Sequence, residues 1–144
     1  TLVLAAALSS TSSAWAGLYS DDMARCLVAS TSAKDKTDLV RWIFANAALH
    51  PDVASISSMS PDQREDINKA AGLMLNRLLT DTCRSQTQAA LKYEGALAMQ
   101  TSFQVLGQVA MQELMRNPAV GQGFGGIGKY VDEEMLKEMA ASSK

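Results

Sequence analysis

The sequence is poor in the side chains that most often carry catalysis and metal binding. It contains one histidine, His50, and two cysteines, Cys26 and Cys83. The cysteines are too far apart for a C-x-x-C redox motif or a C-x-x-C-H haem-attachment motif. The G-x-S-x-G nucleophile elbow is also missing. These absences exclude covalently attached haem, and no catalytic, metal-binding or cofactor motif is recognised in the chain.

The sequence has no region in which charges of one sign are concentrated. Thirteen Lys and Arg residues stand against fifteen Asp and Glu residues, which gives a net charge of −2, and both signs are interspersed. A nucleic-acid-binding protein would show clustered cations, so we expect no nucleic-acid partner. Hydrophobic residues make up 47% of the chain, which is enough for a packed core and argues against wholesale disorder.

Charged residues are missing altogether from the first sixteen positions. An apolar stretch at residues 2–8 leads into a Ser/Thr-rich stretch and then into Ala14 and Ala16, which flank a tryptophan. That order is typical of the end of a secretory signal peptide, whose cleavage site has small residues at positions −3 and −1. We therefore expect residues 1–16 to be the C-terminal part of a cleavable signal peptide, with cleavage before Gly17.

The alternative for this apolar stretch is a membrane anchor. A membrane-spanning helix needs about 20 predominantly apolar residues, and this run is short and ends in five Ser/Thr residues. We therefore expect no stable membrane anchor after cleavage, and an exported protein that is periplasmic or secreted. Residues 17–144 then have the size of a single domain.

An oxidising compartment gives the two cysteines a simple role. Cys26 and Cys83 stand 57 positions apart, and two cysteines in an exported protein most simply form a disulfide. A metal pair would need nearby histidines, and a redox pair would normally be C-x-x-C. In the chain-entropy model, closing a loop of this length stabilises the fold by about 4 kcal/mol.

Apolar residues recur at helical spacing along the chain, and no alternating strand pattern is present. The clearest helix start is at residues 60–63, where Ser60 is the N-cap, Pro61 takes the first helical position and Gln63 the third. Ser32 with Asp35 three residues on resembles a capping box. We predict an all-α fold, a small helical bundle of four to five helices. The predicted helices cover about residues 21–28, 32–50, 60–80, 85–116 and 132–140.

The segment of residues 119–128 is predicted to be a glycine-rich loop. Within it, Gly121–Gly126 matches the G-x-G-x-x-G pattern of dinucleotide-binding proteins letter by letter. That pattern binds a pyrophosphate only where it joins a strand to a helix, and no strand is predicted before it. We therefore expect a flexible loop and no dinucleotide. Phe124 and Ile127, exposed among glycines, are candidate contacts with a partner.

The single histidine lies at the end of the second predicted helix, just before Pro51. There His50 is expected to cap the helix C-terminus, where a partly positive imidazole interacts favourably with the helix dipole. As a general base it would need a nucleophile or acid close in space, and the sequence identifies none.

Methionine is abundant, with eight residues in the chain. Met111 and Met115 form one i, i+4 pair, and Met135 and Met139 form another. Thioethers bind Cu(I), but methionine also fills gaps in helical cores, and no histidine accompanies either pair. We expect these four side chains to lie in the core, with a surface for a partner or ligand as the alternative.

Because catalytic motifs are absent, we expect a binding or interaction module of the exported compartment, which binds a protein partner or a second copy of itself. One alternative is a small-ligand or metal (Cu) carrier, which requires an enclosed apolar cavity or converging thioethers. Another is an immunity or stress-protective protein of the periplasm, a class to which the general build of this chain is similar. An enzyme would require His50 in a cleft with a second titratable group.

Overall fold

The structure, a computed structural model, describes residues 17–142 and is all-α, with no strand in that range. The expected signal segment, residues 1–16, including Ala14 and Ala16, lies outside the described residues. The helices are α1 (Leu18–Ser30), α2 (Ala33–Ala47), α3 (Pro51–Ala54), α4 (Pro61–Arg77), α5 (Arg84–Glu94), α6 (Ala96–Met115), α7 (Pro118–Gly125) and α8 (Glu133–Ser142). A π-helical turn, Leu78–Thr82, joins α4 to α5, and a 3-10 segment, Gly126–Tyr130, follows α7.

Five of these helices form the bundle, which confirms the predicted fold class. The α6 helix lies at its centre and packs against α1, α2 and α5, while α4 packs against α2. The remaining three helices are the single turn α3 and the two short C-terminal helices. The core side chains are Met23, Leu27, Leu39, Met74, Leu78, Cys83, Ala90, Ala98, Leu106, Val109 and Ala110.

The predicted disulfide is confirmed. Cys26 on α1 is bonded to Cys83, the residue that precedes α5, and the two Cα atoms lie 5.9 Å apart. The side chain of Cys83 is fully buried in the core. The bridge therefore fixes α1 to the start of α5 at a point where both elements already pack against each other.

The predicted capping box at Ser32 and the predicted N-cap at Ser60 are both present, and Ser60 also forms a capping box with Gln63. At the start of α2, the Ser32 hydroxyl accepts a hydrogen bond from the Asp35 amide, and the Asp35 carboxylate accepts one from the Ser32 amide at 2.8 Å. At the start of α4, Ser60 and Gln63 make the same reciprocal pair. In each case local side-chain chemistry satisfies amides that the helix itself leaves without partners.

Asp35 has a second role that its sequence position does not show. Its carboxylate also accepts a hydrogen bond from Arg77, at the end of α4, at 2.7 Å. Burial raises the pKa of this carboxyl, but the hydrogen bonds from Ser32 and Arg77 outweigh burial and hold the pKa below its ordinary value. Asp35 thus ties the start of α2 to the end of α4.

The prediction of one helix over residues 85–116 is wrong at Gly95. This glycine has φ 58° and ψ −127°, a conformation that side chains with a Cβ rarely adopt. It ends α5 and begins α6, so the two helices pack against each other instead of continuing as one rod.

The prediction of a loop over residues 119–128 is also wrong. The α7 helix begins at Pro118, and the side chain of Asn117 accepts a hydrogen bond from the Ala119 amide at 3.0 Å. An Asn N-cap followed by Pro at the first helical position is a strong helix start. The helix forms although it contains Gly121, Gly123 and Gly125, each of which disfavours a helix by about 1 kcal/mol. The N-cap alone does not offset three glycines, so the packing of α7 on α6 also contributes to its stability.

Candidate interaction surface

Residues 118–142, which we call the C-terminal arm, carry most of their large apolar side chains in contact with solvent. The arm consists of α7, the 3-10 segment and α8, and none of these elements contains a buried residue. Its α7 helix packs on α6 and on the 3-10 segment. The exposed large apolar residues of the arm are Phe124, Ile127, Tyr130, Val131, Met135, Leu136 and Met139.

The last helix of the arm is amphipathic. Asp132 begins it, since its carboxylate accepts a hydrogen bond from the Met135 amide at 2.9 Å. Acidic residues in the first turn of α8 interact favourably with the helix dipole. Met135, Leu136 and Met139 follow at i, i+1 and i+4, so they share one side of the helix. The helix therefore presents an apolar stripe that the bundle does not bury.

The seven exposed apolar side chains of the arm sum to an area comparable with the largest apolar patch of a typical monomer. Seven side chains that are each about half exposed contribute roughly 100 Å² apiece, or on the order of 700 Å² together. The largest apolar patch on a typical monomer covers about 300–600 Å² and is often functional. An arm of this kind is therefore a candidate contact surface.

Two arm residues were predicted as partner contacts, and the structure places both in solvent. The side chain of Phe124 is 57% exposed and that of Ile127 is 70% exposed. Tyr130 and Leu136 were not predicted as contacts, although the helical spacing of apolar residues after Tyr130 is visible in the sequence. That spacing was attributed to a helix whose apolar side faces the core.

The expectation that the two methionine pairs lie in the core is wrong. Met111 and Met115 on α6 are exposed, as are Met135 and Met139 on α8. The i, i+4 spacing correctly places each pair on one face of its helix. The spacing does not indicate whether another helix covers that face. Within residues 17–142, no element buries the face of either pair.

Acidic residues predominate along the arm. It carries two lysines against four acids, and therefore a net charge of −2. The ammonium of Lys129 lies 5.0 Å from the centre of the Tyr130 ring. The complementary surface on a partner would be apolar with a cationic border.

A second surface feature is a groove of about 540 Å³ between α2, α4 and the segment that precedes α4. The groove is open to solvent, so it is not the enclosed cavity that a carrier was expected to have. Arg41, on its wall, makes no ion pair with any residue that the structure describes, whereas Asp38 is paired with Lys34. The residues that define the groove include Asp38, Arg41, Phe44, Ile56, Met59 and Asp66.

His50 does not cap the end of α2, as was expected. It is the N-cap of α3, where its Nδ1 accepts a hydrogen bond from the Asp52 amide at 3.3 Å. The reason is Pro51, which occupies the first position of that new turn. The imidazole is 64% exposed, and the Asp52 carboxylate, 3.8 Å away, is more exposed still. Both groups therefore stand on the surface.

Among residues 17–142, no three His, Cys, Asp or Glu side chains come together as a metal site. Within the same range, no helix is both long and apolar enough to cross a membrane. No family model matches the chain, and no curated protein or solved structure matches it either.

Proposed function

We propose that this protein is an exported binding protein that holds a protein partner through its C-terminal arm. The observation that carries the proposal is the arm itself, residues 118–142, which displays seven large apolar side chains and buries no residue. Keeping so much apolar surface in water is unfavourable for a monomer. A partner that covers the arm removes this apolar surface from water, and that burial contributes favourably to the free energy of binding.

The chemistry of the arm indicates the kind of partner. An amphipathic helix typically binds by laying its apolar stripe into a hydrophobic groove, with anchors at i and i+4. Met135 and Met139 have that spacing, and flexible methionine side chains adapt to irregular surfaces. The acids of α8 favour a groove with cations along its border.

Affinity capture from the periplasm with the mature protein tests the proposal. The test variant replaces two anchors, Met135→Asp and Met139→Asp, and the matched control replaces one polar residue of the same helix, Lys137→Gln. Since no side chain of α8 is buried, all three proteins should keep the same thermal midpoint. We expect a protein that is captured by the wild type and the control and is lost with the double variant.

Equal recovery with the double variant, or no captured protein with any bait, would contradict the proposal. Sedimentation of the purified proteins covers the case of a second copy as the partner. A wild-type dimer that the double variant converts to monomer would identify the arm as a self-association surface. The identity of a captured protein decides between an immunity role and a stress-protective role in the periplasm.

A second candidate function is the binding of a small ligand in the open groove beside Arg41, a site that differs from the enclosed apolar cavity expected of a carrier. The guanidinium of Arg41 forms no ion pair with a described carboxylate, and it lies in the same groove as apolar side chains such as Phe44 and Ile56. This combination suits an organic anion with an apolar body. Calorimetric titration with octanoate tests this candidate, and binding should be lost in Arg41→Ala. Metal analysis after Cu(I) loading tests the copper form of the carrier hypothesis.

A further inference from the structure

The first helix receives its N-terminal cap from a distant part of the chain. Gly17, at the N-cap position of α1, has no side chain with which to cap it. Instead, the carboxylate of Glu94, the last residue of α5, accepts hydrogen bonds from the amides of Tyr19 and Ser20, each at 2.9 Å. The Ser20 hydroxyl also donates to this carboxylate. These bonds, the Ser20 hydroxyl first, hold the pKa of Glu94 below its ordinary value, so the group is a full anion at neutral pH.

Gly17 lies directly against that carboxylate. A Cβ atom added to Gly17 would overlap the carboxyl group of Glu94. The backbone nitrogen is attached to the same Cα atom as that Cβ would be, so it lies within about 5 Å of the carboxyl carbon. Glycine is therefore the residue that allows this close approach between the start of α1 and the end of α5.

The sequence places a small-x-small cleavage pattern, Ala14 to Ala16, immediately before this position. Cleavage there converts the Gly17 amide into an α-ammonium group. We infer that the Glu94 carboxylate is the receptor site for the α-ammonium group that removal of the signal peptide creates at Gly17. The inference rests on the proposed export of the protein. The site is the Glu94 carboxylate, and the group that it binds, the α-ammonium of Gly17, exists only after the signal peptide has been cleaved.

The balance of charge at this end of α1 favours the pairing. The helix dipole places about half a positive charge at its N-terminus, which repels an ammonium group. The Glu94 carboxylate carries a full negative charge close to the same nitrogen of Gly17, and its attraction therefore outweighs the repulsion by the dipole. The ammonium should be stabilised, and the amine of Gly17 should lose its proton at a higher pH than an ordinary chain terminus does.

Among residues 17–142, no neighbouring cation already occupies Glu94. Asp22 is paired with Arg25 at 3.2 Å, and the Lys92 ammonium lies 5.1 Å from the centre of the Tyr93 ring. The α6 helix, which packs on α1, carries no charged residue along 96–112. The remaining charged or titratable groups that the structure describes at this end of α1 are Asp21 and the phenols of Tyr19 and Tyr93, which stack with ring centres 4.5 Å apart.

NMR titration of the Gly17 amine in a mature chain that begins at Gly17 tests the inference. We expect its pKa to lie about half a unit or more above the ordinary range of roughly 7.7–8.0. In Glu94→Gln, which keeps an oxygen that can accept the amide hydrogen bonds, the pKa should fall to that range or below it. In Gly17→Ala, the new Cβ should push the flexible Glu94 side chain aside, and the pKa of the terminal amine should fall in the same way.

A chain that begins at Ala14 is the matched control, because its amine stands three residues away from Gly17 and should titrate in the ordinary range. The raised pKa also predicts a stability difference with a definite sign. The mature chain should lose stability relative to Glu94→Gln as the pH rises through the amine pKa, since the ammonium form is the one that the fold favours. The same amine pKa in the mature chain and in Glu94→Gln would overturn the inference.

Intact-mass analysis of the protein recovered from the periplasm separates this inference from the proposed function. A mature chain that starts at Gly17 supports it, and a start at another residue overturns it whatever the titration shows. Partner capture by the arm depends on neither measurement. Failure of the titration therefore leaves the binding role standing, and failure of the capture experiment leaves the pairing of Gly17 with Glu94 standing.

Discussion

Reduction of the Cys26–Cys83 disulfide should remove a large share of the stability of the bundle. The bridge joins residues 57 positions apart, and in the chain-entropy model such a loop contributes about 4 kcal/mol at 25 °C. A domain of this size typically has a free energy of unfolding of about 5–15 kcal/mol. At roughly 4 °C per kcal/mol for a chain of this length, the thermal midpoint should fall by about 15 °C.

The native packing indicates that the crosslink itself causes most of this loss. When the bond is reduced, the two sulfur atoms have to separate from bonding distance to van der Waals contact, but Cys83 remains a small apolar side chain in the core. The Ser30 hydroxyl lies 3.9 Å from the Cys26 sulfur and 3.8 Å from the Cys83 sulfur. It offers each new thiol a weak hydrogen-bond partner, so reduction leaves neither thiol without a polar contact.

Urea unfolding followed by circular dichroism, with and without reductant, measures the effect directly. The double variant Cys26→Ala and Cys83→Ala is the control, because reductant should not change its midpoint. Thiol titration of the denatured, unreduced protein should find no free thiol. A reductant effect below about 1 kcal/mol would refute the chain-entropy estimate, and two free thiols would refute the bridge itself.

Two further substitutions probe the ties between helices. Asp35→Asn should lower the free energy of unfolding at pH 7 by about 1–2 kcal/mol, because it weakens charge-assisted hydrogen bonds to Ser32 and to a half-exposed Arg77. Since the folded-state pKa of Asp35 is lowered, its contribution is present above the unfolded pKa and is lost as the pH falls. The difference between variant and wild type should therefore shrink in urea titrations at about pH 3. Gly95→Ala should destabilise by about 1–3 kcal/mol because of its positive φ. Gly107→Ala, inside α6 with open space at the Cβ position, should stabilise by about 0.5–1 kcal/mol. Equal midpoints for the two glycine variants would contradict this account of the break between α5 and α6.

The parts of the fold that sequence could predict are those that local chemistry determines. Ser32 and Asp35 are three residues apart, so their capping box is decided within one helical turn. The disulfide followed from the small number of cysteines and from the expected compartment. Pro51 and Pro118 each stand just beyond the end of a predicted helix, and each also begins the next helix, because proline suits the first helical position although it disrupts a helix interior.

The parts that sequence could not predict depend on contacts between distant residues. A glycine within a helical pattern can be tolerated or can end the helix, and only the φ angle of Gly95 distinguishes these outcomes. The methionine spacing predicted shared faces correctly but not their exposure, which depends on where the next helix packs. Glu94 gave no signal at all, because the helix end that it caps lies 74 residues away from it along the chain.

The two ends of the described chain differ in how firmly they are attached to the bundle, and this difference bears on function. The first helix is held to α5 twice, by the disulfide at Cys26 and by the hydrogen bonds of Ser20 to Glu94. The C-terminal arm, at the other end of the described range, buries no side chain. Substitutions at the first end should therefore change the stability of the bundle, because they release α1 from α5. Substitutions on the apolar stripe of α8 should leave that stability unchanged, because α8 buries no side chain, so they can test the proposed partner contact without disturbing the fold.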